Sequence, residues 1–432
     1  MNKYRISITG AAGRMGMIYA PLLIEQGHEV RVYDRSLGKL ESLYGNTKAT
    51  LCNNNKDLVK DADIVLLLTP VPETRDVLIE MKDYLPPHAI ISSAASSKER
   101  IAEAELEFAP HGARIVDFHP MHGENKPGGT FPKDQNILTV PVLDYEINNL
   151  GETAEDILKG LFIPMGAKVK HIDNPTKHDE IMGDVQGGNH GVSKFMSGGW
   201  RFAGTDPDRS ETYANPLDDM KSLFGRRPLA LNLDVYVVTM LWNRFVSSYV
   251  KEYADILSEM QRLAIIGERK KLYKMAEETK EHYGLNEIKD ARDRLASVYG
   301  KNLDDTTNSH ISIFVWGEVD KRRNKRPADF IEFESPHYAM GRILRYAVFG
   351  GDLKRFADNA IDNPETKWQD YCYGMSVSVI NQIVQGGIRN GNPEALLTHL
   401  QILREYFNKD MKRNLDKIAI DSTELSRKLR EN

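Results

Sequence analysis

Short apolar runs alternate with segments of helical spacing through the first part of the chain. Residues 5–9 read as a strand, and residues 15–26 as a helix with apolar side chains on one face. Residues 29–33, 63–69, 89–93, 114–118 and 137–140 continue the strand series, and a last strand near 168–172 completes it. Strands that alternate with helices predict a doubly wound parallel sheet covered on both faces, an α/β domain of the Rossmann type over residues 1–173.

The pattern changes at Asn174-Pro175. From there to residue 284 it is helical, predicting an all-helical domain. Residues 228–263 carry apolar side chains nearly all round (Leu229, Leu231, Val235, Val237, Leu241, Phe245), so one long buried helix is expected there. A helix with no polar face is hard to cover within one small domain, and a homodimer is the expected solution. Residues 285–432 form a third, mostly helical extension with a β-like stretch at 310–316 and a long helical pattern from Thr366 onward.

Composition narrows the class. The chain has 432 residues, 41% hydrophobic and 28% charged, enough for two or three ordinary globular domains. A net charge of -5 without a basic block favours neither nucleic acid nor an anionic membrane as partner. Two distant cysteines, Cys52 and Cys372, fit a reducing cytoplasm and no metal or disulfide framework. No apolar run is long enough to span a bilayer, and a cytoplasmic protein is expected.

The candidate chemistry begins at Gly10-Ala11-Ala12-Gly13-Arg14-Met15-Gly16, which follows a strand and opens a helix. Glycines there allow a tight turn and a close approach to a pyrophosphate, which the helix N-terminus attracts. Asp34 ends the second strand, where a carboxylate receives the ribose hydroxyls of NAD; the adjacent Arg35 admits NADP as well. Thr69-Pro70 ends a buried strand at the same rim, and Ser96 and Lys98 follow the next one. A run of small hydroxyl residues is also what a helix cap looks like.

His119 lies at the end of a strand, where hydride-transfer enzymes hold a base. His178, Asp179, Met182, Gln186 and His190 recur at helical spacing downstream, and Arg244 interrupts the apolar run. A buried Arg demands an anion, either a neighbouring carboxylate or a substrate. His119, His122 and His178 match no metal-site spacing, so no metal is expected.

In this order the pieces resemble the prephenate dehydrogenase family over roughly residues 3–260. The likeness rests on Met15-Gly16, Ser96-Ser97-Lys98, His119-Pro120-Met121-x-Gly123, His178-Asp179 to Gln186-x-x-x-His190, and Arg244 before Tyr253-Ala254-Asp255-Ile256. The resemblance implies NAD(P)-dependent oxidative decarboxylation of prephenate to 4-hydroxyphenylpyruvate. His119 would be the base, Ser96 and His190 its catalytic companions, and Arg244, Lys98 and Gln186 substrate contacts. Tyr236 stands where many members carry a second Arg, which leaves prephenate and arogenate both open. Two other readings remain: a β-hydroxyacid-type dehydrogenase using Lys194, and a nucleotide sensor without turnover.

Overall fold

The computed structural model describes residues 2–122, 133–144, 152–205, 216–300, 303, 311–390, 392–410 and 414–431. The chain divides into two compact units, residues 1–181 and 182–432.

The first unit is an eight-stranded sheet in the order β3-β2-β1-β4-β5-β6-β7-β8. Its strands are β1 (Arg5–Thr9), β2 (Glu29–Tyr33), β3 (Thr50–Leu51), β4 (Ile64–Leu67), β5 (Ile90–Ser93), β6 (Arg114–Pro120), β7 (Asn136–Leu143) and β8 (Lys168–His171). The helices between them are α1 (Arg14–Glu25), α2 (Leu37–Tyr44), α3 (Asn55–Val59), α4 (Val71–Met81), α5 (Glu99–Phe108) and α6 (Ala154–Phe162). Period-two alternation splits the strand side chains between two cores. Ile6, Ile8, Val30, Val32, Ile64 and Leu66 pack with α1 and α6 residues such as Ile18, Leu23 and Leu158. Val65, Leu67, Ile91 and Ile115 pack with Leu58, Leu78 and Ala104 of α3, α4 and α5.

The sheet reverses strand order between β1 and β4, the switch point at which doubly wound sheets open a ligand crevice beyond their carboxyl ends. The sheet is parallel as expected except at one junction. β7 runs antiparallel to β6, pairing His119 with Leu138 and Phe118 with Thr139, while β7 and β8 are parallel to each other. Alternation of apolar residues is the same for either direction, so this was not readable from the pattern.

The second unit is helical. A π-helical turn at Gly183–Gly187 follows α7 (Pro175–Met182), and α8 is Gly188–Ala203. Then come α9 (Pro216–Ala230), α10 (Leu233–Trp242), α11 (Arg244–Ile265), α12 (Arg269–Tyr283) and α13 (Leu285–Tyr299). The remainder is α14 (Ile311–Arg322), α15 (Pro336–Phe349), α16 (Leu353–Asp362), α17 (Pro364–Asn390), α18 (Glu394–Glu405) and α19 (Leu415–Glu431). One apolar cluster runs from Val192 to Leu429, so residues 182–284 and 285–432, separate in the sequence reading, share a core.

Two further expectations change here. The single helix over residues 228–263 is three helices. Asn232 caps α10 by accepting from the Asp234 N–H, and Asn243 caps α11 by accepting from the N–H groups of Phe245 and Val246. Leu229, Leu233, Val237 and Leu241 are buried within the same chain, whereas Val235 is 47% exposed. The stretch from Ile311 to Trp316 is helix, not strand; it is buried on every side, and all-round burial erases the period that separates the two. His310 lies outside the described residues. No helix among the described residues is long and apolar enough to cross a membrane.

Candidate active site

The glycine turn packs too tightly for side chains. Gly10 has φ +74°, and a Cβ there would sit 2.7 Å from the Leu68 backbone; a Cβ on Gly16 would meet the Ala11 carbonyl oxygen at 2.2 Å. Gly13 is the N-cap of α1 and carries no side-chain cap, which leaves the first-turn N–H groups for an anion. Arg14 is exposed and Met15 half-buried at the start of that helix. Asp34 braces the turn, its carboxylate accepting from the Ala12 N–H at 3.1 Å and the Ser36 N–H at 2.9 Å. Arg35 is exposed and pairs with Glu73 at 2.7 Å. Thr69 shares a 3.3 Å hydroxyl contact with Thr74, and Pro70 is the N-cap of α4.

Beyond the ends of β5 and β6 lies a buried charged cluster. The Lys98 ammonium donates to the carbonyls of Ser93 at 2.8 Å and Phe118 at 2.9 Å, and lies 3.2 Å from Asp117. It is wholly enclosed, which reassigns Lys98 from substrate contact to a cation that ties β5 to β6. Burial first, then Asp117, push the Glu105 carboxyl well above the usual carboxylate range. Ser96 is buried in the β5–α5 connection.

His119, at the end of β6, is brought against His178: its Nδ1 is 2.9 Å from His178 Nε2. His178 Nδ1 is in turn 2.8 Å from Asp179 Oδ1. Asp179 also accepts from the N–H groups of Lys98 at 2.8 Å and Glu99 at 3.1 Å, and from the Ser97 hydroxyl at 3.1 Å. Burial foremost, then His178, Lys98 and His122, hold the His119 imidazole well below the usual histidine range. It is therefore neutral at pH 7 and able to accept a proton. His122 meets the Tyr19 hydroxyl at 3.2 Å. Gly123 of the His119 motif lies outside the described residues.

In the second unit, the His190 ring sits edge-on to Tyr236 with centroids 4.6 Å apart and stacks on His337 at 5.3 Å. Lys194 donates to the His190 carbonyl at 2.9 Å and lies 4.2 Å from the Tyr236 ring centre. Burial draws its ammonium well below the usual lysine range. Gln186 is half-buried in the π-helical turn. Arg244 was expected inside an apolar helix. It is exposed at the first position of α11, because Asn243 ends one helix and caps the next, and it lies over Phe245 at 5.0 Å.

The sequence reading missed Lys98–Asp117 and the joining of His119 to His178. An acidic residue in the middle of the buried strand Arg114–Pro120 was the available signal, since a buried carboxylate must be paired.

Residues 20–170 match the family model described as prephenate dehydrogenase, nucleotide-binding domain. Over that span the chain is similar to the nucleotide-binding domain of prephenate dehydrogenases. A probable arogenate/prephenate dehydrogenase of Methanocaldococcus jannaschii is 24% identical over 279 residues, 65% of this chain and 61% of that one. A probable prephenate dehydrogenase [NADP(+)] of Schizosaccharomyces pombe is 21% identical over 62% of this chain and 60% of its own length. The chain thus spans about three-fifths of the length of these curated relatives. Among solved structures, Synechocystis arogenate dehydrogenase is similar at a TM-score of 0.46 and 19% identity, covering 60% of this chain and 91% of that one. Prephenate dehydrogenase from A. aeolicus, in complex with hydroxyphenyl propionate and NAD+, has a TM-score of 0.38 at 19% identity, over 45% and 68%. The dinucleotide turn, the switch point and the His119 cluster all fall in the unit that contains the prephenate dehydrogenase match.

Proposed function

We propose that the chain is an NAD(P)-dependent dehydrogenase that converts prephenate to 4-hydroxyphenylpyruvate and carbon dioxide, in tyrosine biosynthesis. The observation that carries this reading is a neutral, buried His119 at the end of β6, in the same unit as the dinucleotide turn. Gly10, Gly13 and Gly16 would let the backbone approach a pyrophosphate, with the uncapped start of α1 donating to it. Asp34 would receive the adenosine ribose hydroxyls. Its position, and the pairing of Arg35 with Glu73, support NAD over NADP. The bound dinucleotide supplies the hydride acceptor.

His119 would take the proton of the ring hydroxyl as hydride leaves the same carbon; loss of the ring carboxylate then aromatises the ring and makes the step effectively irreversible. Ser96 would orient the imidazole or the hydroxyl. By family resemblance, Gln186, His190 and Arg244 would contact the substrate. Changing Arg244→Lys should raise KM for prephenate while leaving dinucleotide affinity near normal, because the bidentate fork is lost and the charge kept.

Arogenate is the second reading, supported by the name of the Methanocaldococcus jannaschii relative. Product analysis with prephenate and arogenate, each with NAD and NADP, tests both readings. Turnover of neither substrate with either cofactor would overturn them.

A further inference from the structure

We propose that His178 and Asp179 act on His119 as a proton relay: as His119 takes a proton at Nε2, it passes its Nδ1 proton to His178 Nε2. The proposal deepens, and rests on, the assignment of His119 as the base. Every N–H balances. One proton arrives at His119 and one leaves, so His119 ends neutral in its other tautomer and His178 ends as an imidazolium against Asp179. The return path reverses the two transfers once product has left.

The hydrogen-bond accounting leads to this assignment. The Asp179 carboxylate accepts from the Lys98 and Glu99 N–H groups at the start of α5 and from the Ser97 hydroxyl. Against the opposing effect of burial, contact with His178 first and then the Lys98 and Glu99 N–H groups hold its carboxyl below the usual range. An ionised Asp179 requires His178 to donate from Nδ1, at 2.8 Å. Neutral His178 then accepts at Nε2, and the group 2.9 Å away is His119 Nδ1. His119 must therefore carry its proton on Nδ1, which makes Nε2 the basic nitrogen. The tautomers of both rings follow from one carboxylate.

The surrounding charges decide where a positive charge rests. Lys98 opposes it on both rings, and His122 opposes it on His119. Asp179 in contact, and Asp117 farther away, favour it on His178 alone. Burial is the first cause holding both imidazoles below their usual range, yet only His178 has carboxylates working against that effect. An isolated His119 would be a weak acceptor in this enclosure; a second ring backed by Asp179 strengthens it. His178 and Asp179 touch no reacting atom in this scheme and are positioning residues.

His178→Gln in the full chain is the test. The amide oxygen can still accept from His119 and the amide NH2 can still donate to Asp179, but no proton can be taken up. The expected result is a kcat lower by on the order of tenfold to a hundredfold, a smaller loss than removing the base itself. KM should stay near wild type and the acid limb of kcat/KM should move to lower pH. Rates in mixed H2O/D2O should curve, as for two moving protons, in the wild type and become linear in the variant. Wild-type kcat and pH profile in the variant, or a linear wild-type plot, would overturn the relay. The wild-type plot decides the matter even if the variant does not fold. His119→Asn run alongside separates the two claims. If that change leaves kcat intact, the base assignment fails; if it abolishes turnover while His178→Gln does not alter it, only the relay fails.

Discussion

In the first unit, buried charges gather where regular elements end. Lys98 is satisfied by the carbonyls of Ser93 and Phe118, at the ends of β5 and β6, and Asp179 by N–H groups at the start of α5. In the second unit, one buried ion pair joins the interiors of two helices, α14 and α15. Arg345 pairs with Asp320 at 2.7 Å and lies 4.1 Å from the Trp316 ring centre, while Tyr283 donates to the same Asp320 at 2.6 Å. Half-buried Arg323, just past the end of α14, bridges Asp184 and Glu252. The difference follows from backbone chemistry. Strand and helix ends leave main-chain groups unspent, whereas a helix interior has used its own, so a buried group there either takes a side-chain partner, as Arg345 does, or shares a helix carbonyl, as Lys194 does with that of His190. Backbone-held charges sit beside His119 and its candidate chemistry; the Arg345–Asp320 pair sits in the apolar core of the second unit.

The sharpest way to break this contrast is His119→Asn. It should lower kcat by roughly two to four orders of magnitude, the usual range for a general base, with dinucleotide affinity and melting temperature little changed. A normal kcat would leave the charged end of the sheet without a catalytic purpose.

Arg345→Met makes the opposite cut. Leaving Asp320 buried without its cation should cost about 3–5 kcal/mol in denaturant unfolding, while dinucleotide affinity persists. Adding Asp320→Asn should recover much of the loss. Failure to recover would mean that Arg345 stabilises by packing on Trp316 and not by its charge.

Gly16→Ala targets the turn. Its Cβ would press on the Ala11 backbone, so roughly 1–3 kcal/mol of overpacking strain is expected, with weaker dinucleotide binding by calorimetry. Unchanged affinity would show that the turn has room the structure does not display.

Acid sharpens the comparison further. His119 and His178 are both held below the usual histidine range, so the unfolded chain binds protons more readily than the folded one. Their contribution to stability is therefore full above a pH of about 6.5 and is lost as pH falls below it. Melting temperatures from pH 7.5 downward should show this fall, reduced in His119→Asn. A flat curve would mean that neither ring is held neutral. The smallest effect is expected from Asp34→Ser, which should shift cofactor preference towards NADP; a wild-type preference for NADP would remove the carboxylate argument.

Much of the first unit could be read from the chain itself. Its strand positions and the glycine turn depend on local period and on backbone sterics, which are properties of neighbouring residues. His119 was legible for the same reason, as a titratable side chain at the end of an apolar run. The break at Asn243, which moves Arg244 from an apolar interior to an exposed first turn, was obscured because apolar residues stand on both sides of it. What tertiary structure alone decided was partnership. His119 and His178 are 59 positions apart, and Lys98 and Asp179 are 81 apart. No local pattern specifies which buried polar groups will meet, since desolvation requires only that each find some partner. The antiparallel turn of β7 and the shared core of residues 182–432 belong to the same class, because strand direction and helix packing are settled by surfaces that come together only on folding.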